Sequence, residues 1–293
     1  IAERMNVHAP KFSPDGSRLS FDITSADGRD VWILSRDQGT LTRATFDRDG
    51  HDATWTPDGQ HITYSSAKSG VLGIYRTRPG STTPAESLLA SSHLTYTGAW
   101  LGDGSAIVTA GTDLIDTAGS HLRDQSNADI ALVQNGGHGP LVPLVASPYQ
   151  EEFPALSPDS RWLAFVSDQS GRQEVYVQPL RADGDQIQIS QEGGTEPVWA
   201  PDGRELYYRS TTGGQVELMA ATVRTTPAFS VIARHALFPV TDMAGTAPHA
   251  NYDISPDGRT FAMVQRSPST RIVVIQNLPE LLRRLRSAGA GRQ

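Results

Sequence analysis

The sequence predicts an all-β chain: a six-bladed β-propeller of four-stranded antiparallel blades, with a short C-terminal helix. Three observations carry the prediction. A Pro-Asp-Gly turn and its variants recur six times, each turn leads into the same series of short strands, and helical periodicity is nearly absent until the last residues. The turns are Phe12-Ser13-Pro14-Asp15-Gly16, Trp55-Thr56-Pro57-Asp58-Gly59, Trp100-Leu101-Gly102-Asp103-Gly104, Leu156-Ser157-Pro158-Asp159-Ser160, Trp199-Ala200-Pro201-Asp202-Gly203 and Ile254-Ser255-Pro256-Asp257-Gly258. Their aspartates stand 43 to 56 residues apart. That is the period of a propeller or an array.

Each repeat reads the same way. An apolar stretch enters the turn, where Pro presets φ and Gly accepts a positive φ. A second strand leaves it: Leu19-Ser20-Phe21, Ile62-Thr63-Tyr64, Ile107-Val108, Leu163-Ala164-Phe165, Leu206-Tyr207-Tyr208 and Phe261-Ala262-Met263. A third strand follows about ten residues later, as in Val31-Trp32-Ile33, Val175-Tyr176-Val177 and Ile272-Val273-Val274. A more polar fourth closes the unit, as in Leu41-Thr42 and Ile187-Gln188-Ile189. Turn-bounded β-branched and aromatic runs of this length are strands. Gly102 stands where the other turns have Pro, and Ser160 where they have Gly, so these two turns are expected to be less regular. The propeller should span residues 1–277. Leu278, Leu281, Leu282 and Leu285 at helical spacing give the C-terminal helix, and residues 278–293 form that helix and a frayed tail. The last blade is expected to have three strands from 250–277 and at most a stub from residues 1–4.

Composition narrows the function. The chain has 293 residues, with 25 Lys and Arg against 32 Asp and Glu, a net charge of −7. That balance disfavours nucleic acid as a broad-surface partner. No apolar run approaches the ~18–20 residues of a membrane-spanning helix. The absence of cysteine removes disulfides, thiolate metal sites and a cysteine nucleophile. The chain opens at Ile1 without a signal-peptide pattern, which reads as a mature chain or a piece of something longer.

The repeats resemble the TolB-type, WD-repeat-like six-bladed propellers of bacteria. The resemblance covers nearly the whole chain. It is carried best by Glu152-Phe153-Pro154-Ala155-Leu156-Ser157-Pro158-Asp159, by Pro197-Val198-Trp199-Ala200-Pro201-Asp202-Gly203 and by Tyr252-Asp253-Ile254-Ser255-Pro256-Asp257-Gly258. With the tail Ile272-Val273-Val274-Ile275-Gln276-Asn277, the chain is similar to the propeller found C-terminal to bacterial serine/threonine kinase domains or winged-helix regulators. The kinase signatures themselves are not in this chain. The resemblance implies a sensor or interaction domain of a larger bacterial signalling protein, in a periplasmic or extracytoplasmic compartment. Any membrane contact would then run through parts of a longer chain.

Catalytic motifs are missing. There is no Gly-x-Ser-x-Gly elbow and no phosphate-binding loop, and Asp47-Arg48-Asp49-Gly50-His51-Asp52 lacks the distant Glu of a calcium loop. The turn aspartates and Trp55, Trp100 and Trp199 occur at one offset in several blades, so they serve what the blades share. Function belongs where blades differ. Seven residues before the turn Asp stand His8, His51, Tyr96, Glu152, Thr195 and Ala250; six before stand Ala9, Asp52, Thr97, Phe153, Glu196 and Asn251. These positions are expected to line one mouth of the channel. Excess length near 110–128 and 238–250 falls in connections on that same face, where binding residues concentrate. His8, His51 and His249 lie on neighbouring blades once the ring closes. They are candidate ligands for a divalent metal such as Zn or Ni, with Tyr96, Asp52, Glu152, Glu196 and Asn251 as candidate ligand-binding residues. Two functions follow. One is a non-catalytic module holding a protein, peptide or small-molecule ligand on the decorated face. The other is a metal-dependent lyase or hydrolase at the channel mouth.

Overall fold

A computed structural model describes residues 6–70, 72–90, 95–111, 128–181, 184–212, 214–245, 249–266, 271–275 and 280. It contains six antiparallel sheets, five of four strands and one of three among the described residues. The sheets follow the repeats, and the fold is a six-bladed propeller. The innermost strands are Asn6–Phe12, His51–Trp55, Thr95–Trp100, Glu151–Leu156, Thr195–Trp199 and Tyr252–Ile254. The last blade holds Tyr252–Ile254, Phe261–Gln265 and Arg271–Ile275. The expected N-terminal stub and nearly all of the expected C-terminal helix lie outside the described residues, as does the connection at 112–127.

Side chains close the ring between the last blade and the first. Phe12 N–H donates to Asp253 Oδ2 at 2.8 Å, and Lys11 lies 3.8 Å from Asp253. Behind them Phe12, Leu19, Phe21 and Leu34 pack against Ala262. Similar apolar wedges fill the other seams: Phe153, Trp199, Leu206 and Tyr208 form one, and Tyr207, Tyr252 and Phe261 another. The recurrent tryptophans tie neighbours together. Trp55 Nε1–H donates to the Lys11 carbonyl and Trp199 Nε1–H to the Ala155 carbonyl, each at 3.1 Å.

The turns are more uniform than the sequence suggests. Ser160 takes a left-handed φ of 56° and keeps the same 2.8 Å closure, Ser160 N–H to Ser157 O, that Gly59 N–H makes to Thr56 O. The Gly102 turn closes by Gly104 N–H to Leu101 O at 3.0 Å. The reason is that the flanking strands, not the turn residues alone, set the geometry. Where a hydroxyl precedes the turn it knits it: Ser157 Oγ donates to Asp159 Oδ1 and accepts from Trp162 N–H at 2.9 Å.

Five innermost strands slip register near the residue six before the turn Asp, whereas Tyr252–Ile254 in the last blade pairs without a shift. Four such residues adopt left-handed backbone: Ala9 (φ 49°), Asp52, Phe153 and Glu196 (each 55°). The pairing shifts there in blades one, two, four and five, and in blade three the shift skips Gly98. This is a β-bulge, which turns the following side chains. The bulge corrects the expected channel lining. The middle of the channel is walled by Lys11, Thr54, Ala99, Ala155, Val198 and Asp253, around a cavity of about 260 Å³. Asp52, Glu196 and Asn251 are instead buried between blades.

Two expectations follow. Ser157→Ala leaves the buried Trp162 N–H without its side-chain acceptor and should cost about 1–3 kcal/mol in urea unfolding. Hydrogen bonds from Ser13 and Ser17 hold Asp15 at about 2, and those from Thr56 and Ser255 lower Asp58 and Asp257. Depressed carboxyls stabilise above the ordinary carboxylate range, and that stability is lost as pH falls toward 2. Ser13→Ala, Thr56→Val and Ser255→Ala together should therefore raise the midpoint of acid unfolding; an unchanged midpoint would remove the turns from the acid response.

Candidate functional site

At this level of four innermost strands a backbone N–H takes its acceptor from a side chain of the preceding blade. Asp52 N–H donates to Asp22 Oδ2 at 2.9 Å and Thr97 N–H to Ser65 Oγ at 3.3 Å. Asn251 N–H donates to Glu196 Oε2 at 2.8 Å, and Ala9 N–H to Asn251 Oδ1 at 3.4 Å. Asp22 and Ser65 stand on second strands, seven residues after the turn Asp. In blades five and six that position is Arg209 and Val264, and the innermost-strand side chain at this level takes over the role. Glu196 and Asn251 are thereby occupied with the seams on either side of blade six. Glu196 also lies 3.5 Å from Arg209 and offers its carbonyl to Tyr252 Oη–H at 2.7 Å.

Blade two differs. Ser65 already serves the next seam, so the Asp52 side chain is surplus to the pattern. It gathers basic side chains from three blades. His249 Nδ1 lies 2.6 Å from Asp52 Oδ1, a contact that is electrostatic rather than a well-directed hydrogen bond. Arg29 Nη2 lies 3.4 Å from the same oxygen and donates to Asp22 Oδ2 at 2.6 Å. On the other oxygen, Oδ2, sits His51 Nδ1 at 3.0 Å. Gly28 brings Arg29 there. Its φ of 126°, and an approach to Arg48 O that a Cβ would meet at 2.2 Å, let the first blade's hairpin lie against the connection into blade two.

Electrostatics separates the histidines. Asp52 raises the pKa of His249 in spite of burial, whereas burial and Arg29 lower His8 to about 4. The two rings meet edge-on at 6.1 Å, so one charged imidazole beside a neutral one is the favoured state. Asp52 is itself lowered by His249 and His51 against its own desolvation, while burial raises Asp22.

Of the eight residues singled out by sequence, His8, His51, His249 and Asp52 come together. Tyr96 stands beside His51 with ring centroids 6.1 Å apart. Glu152 accepts from Gln150 Nε2–H at 2.9 Å, and burial raises its pKa. Among the described residues no group of three His, Asp or Glu side chains is arranged to hold a metal ion. The donor chemistry agrees: each of His249 and His51 spends Nδ1 on Asp52, so these imidazoles face a carboxylate rather than a common point. The sequence reading missed Asp22 and Arg29. A signal was present in the offset seven residues after the turn Asp, where Asp22 stands against Ser65, Arg209 and Val264 in other blades.

A family model described as the TolB beta propeller domain matches residues 124–290. No curated protein matches the sequence significantly. Among solved structures the chain is similar to a protein from Agrobacterium tumefaciens described as a TolB. They share 20% identity with a TM-score of 0.66 over 87% of each chain. It is similar to TolB from Acinetobacter baumannii, at 15% identity and a TM-score of 0.69. That match covers 90% of this chain but 62% of the other, so the chain spans about three fifths of that protein. It is also similar to an oligogalacturonate lyase from Vibrio parahaemolyticus, at 13% identity and a TM-score of 0.59, over 94% and 76% of the two chains. These identities establish a shared fold.

Two measurements bear on the site. Asp52→Asn removes the charge that holds the proton on His249, so its pKa should fall, read from imidazole NMR shifts against pH. The stabilisation from His249 is present below about 6.5 and is lost as pH rises through its raised folded value, so the variant should lose that pH dependence. Glu196→Ala should cost about 3–5 kcal/mol in denaturant unfolding, because it strands the buried Arg209 guanidinium and opens a seam.

Proposed function

From the premise that this chain belongs to the TolB β-propeller family, we propose that it is a non-catalytic binding module. It holds its ligand on the face where the innermost strands begin. The observation that carries this reading is the Asp52 cluster. It is the part of the ring that departs from the repeated inter-blade pattern, and it brings Arg29, His51 and His249 together from three blades. The pairing of Gly111 with Ala128 and of Pro239 with Glu217, at the ends of blades three and five where their innermost strands begin, supports this face. Long connections on a rigid scaffold supply recognition surface. In this reading the propeller is the sensor or interaction domain of a larger bacterial protein and works outside the cytoplasm. Its partner is a protein, a peptide or a small molecule.

The metal-dependent lyase reading has less support, because the histidines engage Asp52 rather than one another. A phage-displayed peptide library selected on the protein tests the binding reading. Selected peptides should lose affinity for an Asp52→Asn/His51→Ala variant. They should keep it for Asp37→Lys, an exposed position in a turn on the opposite face. Binders that respond to Asp37→Lys and ignore the mouth variant would overturn the proposal. So would formation of unsaturated product from polygalacturonate in the presence of Zn, Ni or Mn.

A further inference from the structure

Resting on that reading, we infer that the Asp52 cluster is a receptor for a ligand carboxylate, carried on a small organic acid or on the C-terminus of a peptide. The argument begins with unsatisfied atoms. Buried polar groups are nearly always hydrogen-bonded, and each exception needs a reason. In this cluster Arg29 Nε, His249 Nε2 and Asp22 Oδ1 are buried without a partner among the described residues, while His249 Nδ1 has its ion-pair contact with Asp52. The side chains of Asp22 and His249 are 0% and 8% exposed. Nothing in the seam pattern requires these orphans, since Asp22 already satisfies the Asp52 N–H through its other oxygen.

Nitrogen outnumbers oxygen among them, so the missing group is an acceptor. Arg29 Nη2 is engaged with Asp22 and Asp52, which leaves its Nε–H as a second, laterally placed donor. His249, with Asp52 against Nδ1, presents Nε2. A carboxylate offers two oxygens to two such donors, and charge-assisted bonds of this kind are the strong ones. A phosphate brings more charge than the cluster can balance with Asp22 and Asp52 beside it. Access comes from the mouth, where Arg29 remains 26% exposed.

The body of the ligand follows from what lies below. The His249 ring forms part of the wall of the 260 Å³ channel cavity, with Phe153, Pro154, Ala155, Pro197 and Val198 around it. The wall is mixed, with Lys11, Thr54, Thr97 and Asp253 elsewhere in it, but this stretch is apolar and the volume is limited. The carboxylate is therefore attached to a compact apolar group, as in a leucine-like or aromatic residue.

Isothermal titration calorimetry with defined probes tests this. N-acetyl-leucine should bind saturably, and N-acetyl-leucinamide should bind at least about tenfold more weakly, the loss expected for a charge-assisted contact. Acetyl-Ala-Ala-Leu separates the two sources. Binding tighter than N-acetyl-leucine assigns a peptide C-terminus, and weaker binding assigns a free small acid. Arg29→Lys keeps the charge and removes the lateral donor, and His249→Phe keeps the ring and removes Nε2. Each should weaken the free acid about tenfold or more in protein whose unfolding transition stays cooperative. If either variant fails to fold, the acid-against-amide comparison on the unaltered protein still decides. Equal affinity for acid and amide, or acid binding that survives both variants, would overturn the inference. Peptides selected at the mouth that respond to Asp52→Asn/His51→Ala but bind equally as amides would sink the carboxylate and leave the binding module standing.

Discussion

The structure depends on one recurring constraint. Five of the six innermost strands carry a bulge, and at Ala9, Asp52 and Thr97 the backbone N–H there takes an acceptor from the blade before it. Residues such as Ala9, Phe153 and Glu196 hold left-handed backbone that L-residues disfavour by about 1 kcal/mol or more. The bulge persists because the seam over-determines it. The preceding blade caps the freed N–H, and apolar wedges such as Phe153 with Trp199 and Leu206 fill the space behind. The bulge then decides which side chains reach the channel and which turn into the seams. That is why the channel wall mixes small and apolar residues with Lys11, Thr54, Thr97, His249 and Asp253, and why the carboxylates of Asp52 and Glu196 lie buried between blades.

The same seam is solved in two ways, and the difference produces the site. On blades one and two a second-strand side chain, Asp22 or Ser65, caps the neighbour. On blades five and six the innermost-strand side chain at that level does it, through Glu196 or Asn251. Where the first solution meets an acidic bulge residue, as at Asp52, a buried carboxylate is left over. A buried charge must be paired. Here the pairing draws Arg29 across a hairpin and His249 across the closure of the ring. One surplus side chain thereby concentrates charge on one side of the mouth. Tyr96 borders this cluster beside His51, whereas Glu152 is paired with Gln150 away from it.

This arrangement also explains why two adjacent histidines behave differently. His249 faces Asp52 and gains a proton-stabilising partner; burial first, and then Arg29 and the His249 ring, hold His8 neutral. Neither outcome depends on the histidines themselves, which are the same residue on neighbouring blades. It depends on burial and on which charges the seams deliver.

The repeat of turns and strands was sufficient by itself to determine the class of fold, the number of blades and the role of the recurrent Trp and Asp residues. Local turn chemistry and strand alternation are short-range properties, and six copies made them unambiguous. The sequence also determined that His8, His51, Asp52 and His249 would share one face, because equal offsets from equal turns occupy equal places in a ring. What it did not carry was the direction of each side chain. Strand alternation continued through the inner strands predicts that Glu196 reaches the channel, and only the bulge, visible in the paired strands, turns it into the seam. Arg29 and Asp22 lay outside the comparison of innermost-strand offsets, since they join the site across a hairpin and a blade boundary. Those contacts are set by packing between elements far apart in the chain, and packing was decided in the tertiary structure alone.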